Sequence, residues 1–115
     1  MTYTIEQENM VLFIQLEGDL IGGFSSQTLM DTVNEKIAEG VRLCAVDISA
    51  LRYMNSVGID VLITLLTKFR NRGGEVVLIK PSPQVKKLLV ITKLTAIFNI
   101  VEDRTQALMR LDENQ

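Results

Sequence analysis

The chain has 115 residues, with 14 acidic and 12 basic side chains, a net charge of −2, no His, no Trp and one Cys. That length suits a single domain spanning residues 1–115. The missing His excludes Ser-His-Asp and Cys-His catalysis and HExxH zinc sites, and the lone Cys excludes an internal disulfide and thiolate zinc sites. An isoelectric point near 5.1 argues against nucleic acid as the main partner. A carboxylate enzyme, a small binder or a protein working through protein contacts remains. Nothing in the sequence implies a cofactor or a metal.

Residues 1–5 (MTYTI) carry no basic region and no long apolar run, so no signal peptide is expected. The longest apolar stretches are strand-sized, far short of the roughly 18 residues a membrane helix needs. No membrane insertion is expected, and the lone Cys fits the cytoplasm.

In chain order, Tyr3 and Ile5 alternate with polar residues, and Glu8-Asn9 reads as a turn. Met10, Leu12, Ile14 and Leu16 then share one face at period two, with Val11 and Phe13 opposite. This predicts an N-terminal hairpin whose second strand is buried on both faces. Residues 18–23 read as a loop. Ser25 or Ser26 is placed to cap a helix carrying Leu29, Val33 and Ile37 inward, and Gly40 to stop it. Residues 41–48 are apolar enough for a central strand, with Cys44 as a small buried hydrophobe.

After a six-residue loop, a second helix is expected over 56–72, with Ile59, Leu62, Ile63, Leu66 and Phe69 on the core side, ended by Gly73-Gly74. Residues 75–80 (EVVLIK) form another strand. Ser82 followed by Pro83 opens a third helix with Val85, Leu88, Leu89 and Thr92 inward. Residues 97–101 form a short strand, and Asp103 with Gln106 opens a last helix carrying Ala107, Leu108 and Leu111 inward. The order ββαβαβαβα implies an α/β domain with a mixed, mostly parallel sheet packed against helices.

No GxxxxGK[ST] or GxGxxG phosphate loop is present. Asp19, Asp47 and Asp60 lie near strand ends, where a carboxylate enzyme or nucleotide binder would need them to converge. Lys86-Lys87 reads as a solvated face. The informative stretch is DISALRYMNSVGIDVL, residues 47–62, in which Ser56 opens a helix. Ser56 fits an N-cap. Local spacing favours the cap, but the site is also compatible with a phosphoacceptor, because a helix N-terminus offers unpaired N–H groups and a positive dipole end.

This stretch is similar to the signature of STAS domains, the anti-sigma factor antagonists, in which a strand ending Asp-hydrophobic-Ser leads through Asp-Ser-Ser/Thr-Gly-hydrophobic-Gly into a helix. The LEGDL stretch (16–20) and GGEVVL stretch (73–78) also fit, so the resemblance covers nearly the whole chain. It implies a non-enzymatic bacterial switch. The unphosphorylated protein would bind an anti-sigma factor of the serine-kinase type, which phosphorylates it to break the complex, and a protein phosphatase would reset it. By position, Ser56 matches the phosphorylated serine. Three positions depart from the pattern: Asn55 where Asp is usual, Asp60 where a second Gly is common, and Ile21 where many members have an acid.

Val57, Val61 and Leu65 form a row beside the core stripe of the second helix, covered by neighbours or left as an apolar docking ridge. The expected partner surface therefore comprises Asn55, Ser56, Val57, Asp60, Val61 and Leu65, with Asp19 and Ile21 from the preceding loop. The departures leave a second reading within the same fold: a non-phosphorylated scaffold, or the small cytoplasmic subunit of a lipid transporter.

Overall fold

The structure is a computed structural model that describes residues 1–113, except for the side chains of Phe24 and Ser25. Its elements are β1 (Thr2–Glu8), β2 (Val11–Leu20), α1 (Phe24–Ala38), β3 (Leu43–Met54), α2 (Ser56–Arg70), β4 (Glu75–Ile79), α3 (Pro83–Ile91), β5 (Asn99–Val101) and α4 (Arg104–Asp112). The sheet order is β1-β2-β3-β4-β5, with β1 antiparallel to β2 and every other pair parallel. The expected α/β order and mixed sheet are therefore present.

The layers follow from strand alternation and crossover handedness. Leu12, Ile14, Leu16, Cys44, Val46, Val76 and Leu78 point to one side, where α1, α2 and α3 bury them. Successive right-handed crossovers along a sheet of sequential order place all three helices on that side. Val11, Phe13, Leu43, Ala45, Val77 and Ile79 point the other way and are covered by Ala107 and Leu111 of α4. Cys44 is fully buried, and desolvation pushes its thiol pKa up, as for a small core hydrophobe.

The ends of the elements rest on local chemistry. Gly40 stands at φ +106, and the Gly40 and Val41 N–H groups donate to Ile37 and Lys36 carbonyls, a Schellman stop for α1. Ser82 caps α3 and Asp103 caps α4, as expected. At α1 the expectation fails. Gly23 occupies the cap position and no side chain caps the helix, while Ser26 lies inside the first turn, buried. The Ser25 side chain falls outside the described residues.

Other boundaries also move. Strand β2 runs to Leu20, so only residues 21–23 are loop. The last strand shortens to Asn99–Val101, after a single 3-10 turn at Leu94–Ala96. Thr92 is not inward: it ends α3 exposed, its hydroxyl donating to the Leu88 carbonyl at 2.6 Å.

The largest difference is β3, expected to end near Ser49 but continuing to Met54. Its pairing with β2 shifts register between Gln15 and Glu17, and again between Gly18 and Asp19, with an extra residue on β3 each time. Those bulges bring Ile48, Leu51 and Met54, three residues apart, into one core cluster.

Candidate functional site

The parallel strands end on one edge, and there the site is assembled. Pairing of β2 with β3 sets Asp19 opposite Tyr53 and Leu20 opposite Met54. The chain then turns directly into α2. The Asn55 N–H donates to the Leu20 carbonyl at 3.3 Å. Gly58 lets the first turn of α2 lie against the end of β2, since a Cβ there would run into the Leu20 carbonyl and come within 3.0 Å of Met54 Cβ. Gly22, at φ +91, lies so close to Val57 that a Cβ would sit 2.6 Å from Val57 Cγ1. The turn after β2 and the start of α2 thus form one surface.

Asn55, not Ser56, caps α2: its Oδ1 accepts the Gly58 N–H at 3.0 Å. Both residue types cap well, but here the hydrogen bond belongs to Asn55. Ser56 is the first helical residue, exposed, and its hydroxyl makes no hydrogen bond among the described residues. Asn55→Ala should cost about 1 kcal/mol, while Asn55→Asp retains the acceptor and stays within about 0.5 kcal/mol of wild type. Urea denaturation of both variants checks this.

Around Ser56 the surface is unusually apolar. Ile21, Tyr53 and Val57 are 51%, 49% and 48% exposed. At its border the Arg52 guanidinium grips Asp19 with two hydrogen bonds, Nε to Oδ1 at 3.0 Å and Nη2 to Oδ2 at 2.9 Å. That hydrogen bonding holds the Asp19 carboxyl below the usual carboxylate range. The pair's contribution is therefore complete at neutral pH and disappears as pH falls through the Asp19 titration. Asp60 stands exposed one turn along α2.

Two expected surface residues are not there. Val61 and Leu65 are buried, together with Gly58, Leu62, Leu66 and Phe69. The row next to the core stripe is covered because α1 packs on α2, bringing Leu29 and Val33 into the same cluster. Ile59 and Ile63, expected to be central, are only partly buried at the core's margin. Of the row, Val57 alone is exposed. Tyr53 and Arg52 belong to the surface but carry no sequence signal while residues 50–54 read as loop.

Asp47 and Asp19 have separate duties. Asp47 Oδ1 accepts the Ser49 N–H at 2.9 Å and its hydroxyl at 2.7 Å, in a cleft shared with Lys80 and Arg104 on the α4 side. Asp19 is committed to Arg52. No group of three His, Cys, Asp or Glu side chains among the described residues is arranged to hold a metal ion.

A sequence model of the STAS domain matches residues 2–107. A Bordetella bronchiseptica protein named as an anti-sigma factor antagonist, BtrV, is 24% identical over 107 residues, covering 93% of this chain and 91% of its own. A Thermotoga maritima structure, titled as an anti-sigma factor antagonist, superposes with a TM-score of 0.86 at 17% identity, covering 96% of this chain and 94% of its own. The anti-sigma factor antagonist SpoIIAA in its unphosphorylated form gives 0.83 at 18% identity, covering 97% of each chain. With the family's sequence pattern running from β1 into α4, the chain belongs to the STAS domain family.

Proposed function

We propose that this chain is an anti-sigma factor antagonist that docks a serine-kinase-type anti-sigma factor through the Ser56 surface and is released by phosphorylation of Ser56. One observation carries this reading: an exposed hydroxyl without a hydrogen-bond partner among the described residues, at the first position of a helix, amid exposed Ile21, Tyr53 and Val57. SpoIIAA, which shares the fold, has also been solved in a phosphorylated form. The reading needs no catalytic apparatus in this chain, because the kinase does the chemistry and a protein phosphatase reverses it. It places the protein in the cytoplasm beside its kinase.

The site's physics supports a switch that works without refolding. The Ser56 and Val57 N–H groups in the first turn of α2 make no hydrogen bond among the described residues, and favour an anion beside them. A phosphoryl group adds about −1.5 to −2 charges. On a docking surface with an apolar centre that charge would have to be desolvated. Asn55 and Ile21, where the family pattern has acids, leave fewer fixed negative charges to oppose the phosphate, and Asp60 supplies one.

Incubation with the kinase-type anti-sigma factor and ATP, followed by intact-mass measurement, tests the reading. One phosphoryl group on wild type and none on Ser56→Ala is expected. No phosphate on wild type, with undiminished binding of the anti-sigma factor, would overturn the switch and leave a constitutive scaffold.

A further inference from the structure

A second surface, on α3, is left unexplained by the fold and by Ser56. Val85 and Leu89 anchor α3 in the core, and Ser82 ties its start to β3 by donating to the Leu51 carbonyl at 2.7 Å. The outer face presents Val90 and Ile91, 56% and 75% exposed. Pro83, Lys86, Lys87, Val90 and Ile91 line one shallow depression. Lys93 follows at the end of the helix, and Ile97 stands 40% exposed just beyond.

Helix stability does not account for these choices. The segment between Glu75 and Glu102 contains no Asp or Glu, so Lys86 and Lys87 have no acid three or four residues away. Neither they nor Lys93 form an ion pair among the described residues. Val and Ile are mediocre helix formers, and at exposed positions they gain nothing from the core. The result is a small apolar patch with only positive charges at its border, on a protein of net charge −2.

We propose that the outer face of α3 docks an acidic amphipathic helix of another protein, with aliphatic side chains seated on Val90 and Ile91 and carboxylates reaching Lys86, Lys87 and Lys93. The charge pattern selects this occupant: complementary charge borders an apolar centre, as in helix-in-surface recognition. An anionic membrane fits less well. Three lysines fall short of the roughly four to eight that mark a lipid-binding basic cluster. The inward face of α3 is already spent on the core, leaving little apolar area to insert.

The full chain is titrated against a fluorescent synthetic helix whose Leu stripe is flanked by Glu, and against the same peptide with Lys replacing Glu. The acidic peptide should bind, more weakly as salt rises, with NMR shifts confined to residues 83–97. Lys86→Glu with Lys87→Glu, and separately Ile91→Ser, should each weaken it at least about tenfold. These side chains are exposed, so thermal melts should stay at the wild-type value. Phosphorylation at Ser56 should proceed unchanged in both variants, which separates this surface from the Ser56 reading. Equal binding of the lysine peptide, shifts confined to the Ser56 surface, or no binding overturns the proposal. So does capture by phosphatidylserine vesicles without peptide binding, or self-association abolished by Ile91→Ser.

Discussion

Ser56→Asp is expected to weaken binding of the anti-sigma factor by about a hundredfold, close to 2.7 kcal/mol, while leaving the fold intact. The two halves of this result have different causes. Binding suffers because a carboxylate at position 56 would enter an interface whose surroundings, Ile21, Tyr53 and Val57, offer no partner for it once water is displaced. Stability hardly changes because Ser56 is exposed and does not cap the helix. A negative charge in the first turn gains about 0.3–1 kcal/mol from the helix dipole. Repulsion from Asp60, four residues on, removes about 0.2–0.5 kcal/mol of that. Ser56→Ala should bind within about twofold of wild type, since it deletes one solvated hydroxyl. Calorimetric titration gives the affinities, and urea melts give the stabilities. A Ser56→Asp protein that binds like wild type would place the interface elsewhere.

What the sequence reveals of this site depends on which periodicities the fold respects. Strands β1 and β4, β2 from Val11 to Leu16 and the inward faces of α1 and α4 follow plain periods of two or 3.6 and lie where those periods put them, although Met10 falls in the turn before β2, half exposed, and β2 continues to Leu20. The end of β3 does not. Two bulges give Ile48, Leu51 and Met54 a spacing of three, which is neither strand nor helix. A real strand, and with it the exposure of Tyr53, therefore reads as a loop. The cap of α2 was expected at Ser56, but Asn55 and Ser56 are adjacent and both residue types cap well, so only the geometry assigns the hydrogen bond to Asn55. That assignment matters functionally, because it leaves the Ser56 hydroxyl uncommitted. Ser56 itself was legible from the motif, since its position two residues after the strand is fixed by the chain and not by distant packing.

The face of α2 was least legible, and it yields the clearest energetic contrast. Val57, Val61 and Leu65 are a single row on a helical wheel, yet the structure divides them. Leu65 is fully buried in the core cluster that also holds Leu29 and Val33 of α1, whereas Val57 is half exposed against Gly22. The wheel cannot register this, because it contains the helix but not the neighbouring α1 that covers two-thirds of the row. Leu65→Ala should therefore destabilise the domain by about 2–5 kcal/mol through the cavity it leaves, and affect binding only through the unfolded fraction. Val57→Ser should cost less than about 1 kcal/mol in stability, yet weaken the anti-sigma factor complex about tenfold by removing an apolar contact beside Ser56. Acidic substitutions at Val61 or Leu65 would bury an unpaired charge and unfold the chain, so their loss of binding would say nothing about docking. Urea melts paired with titrations at fixed folded fraction separate the two effects. A Leu65→Ala protein as stable as wild type but unable to bind would mean that α2 turns this row outward, contrary to the packing of α1 described above.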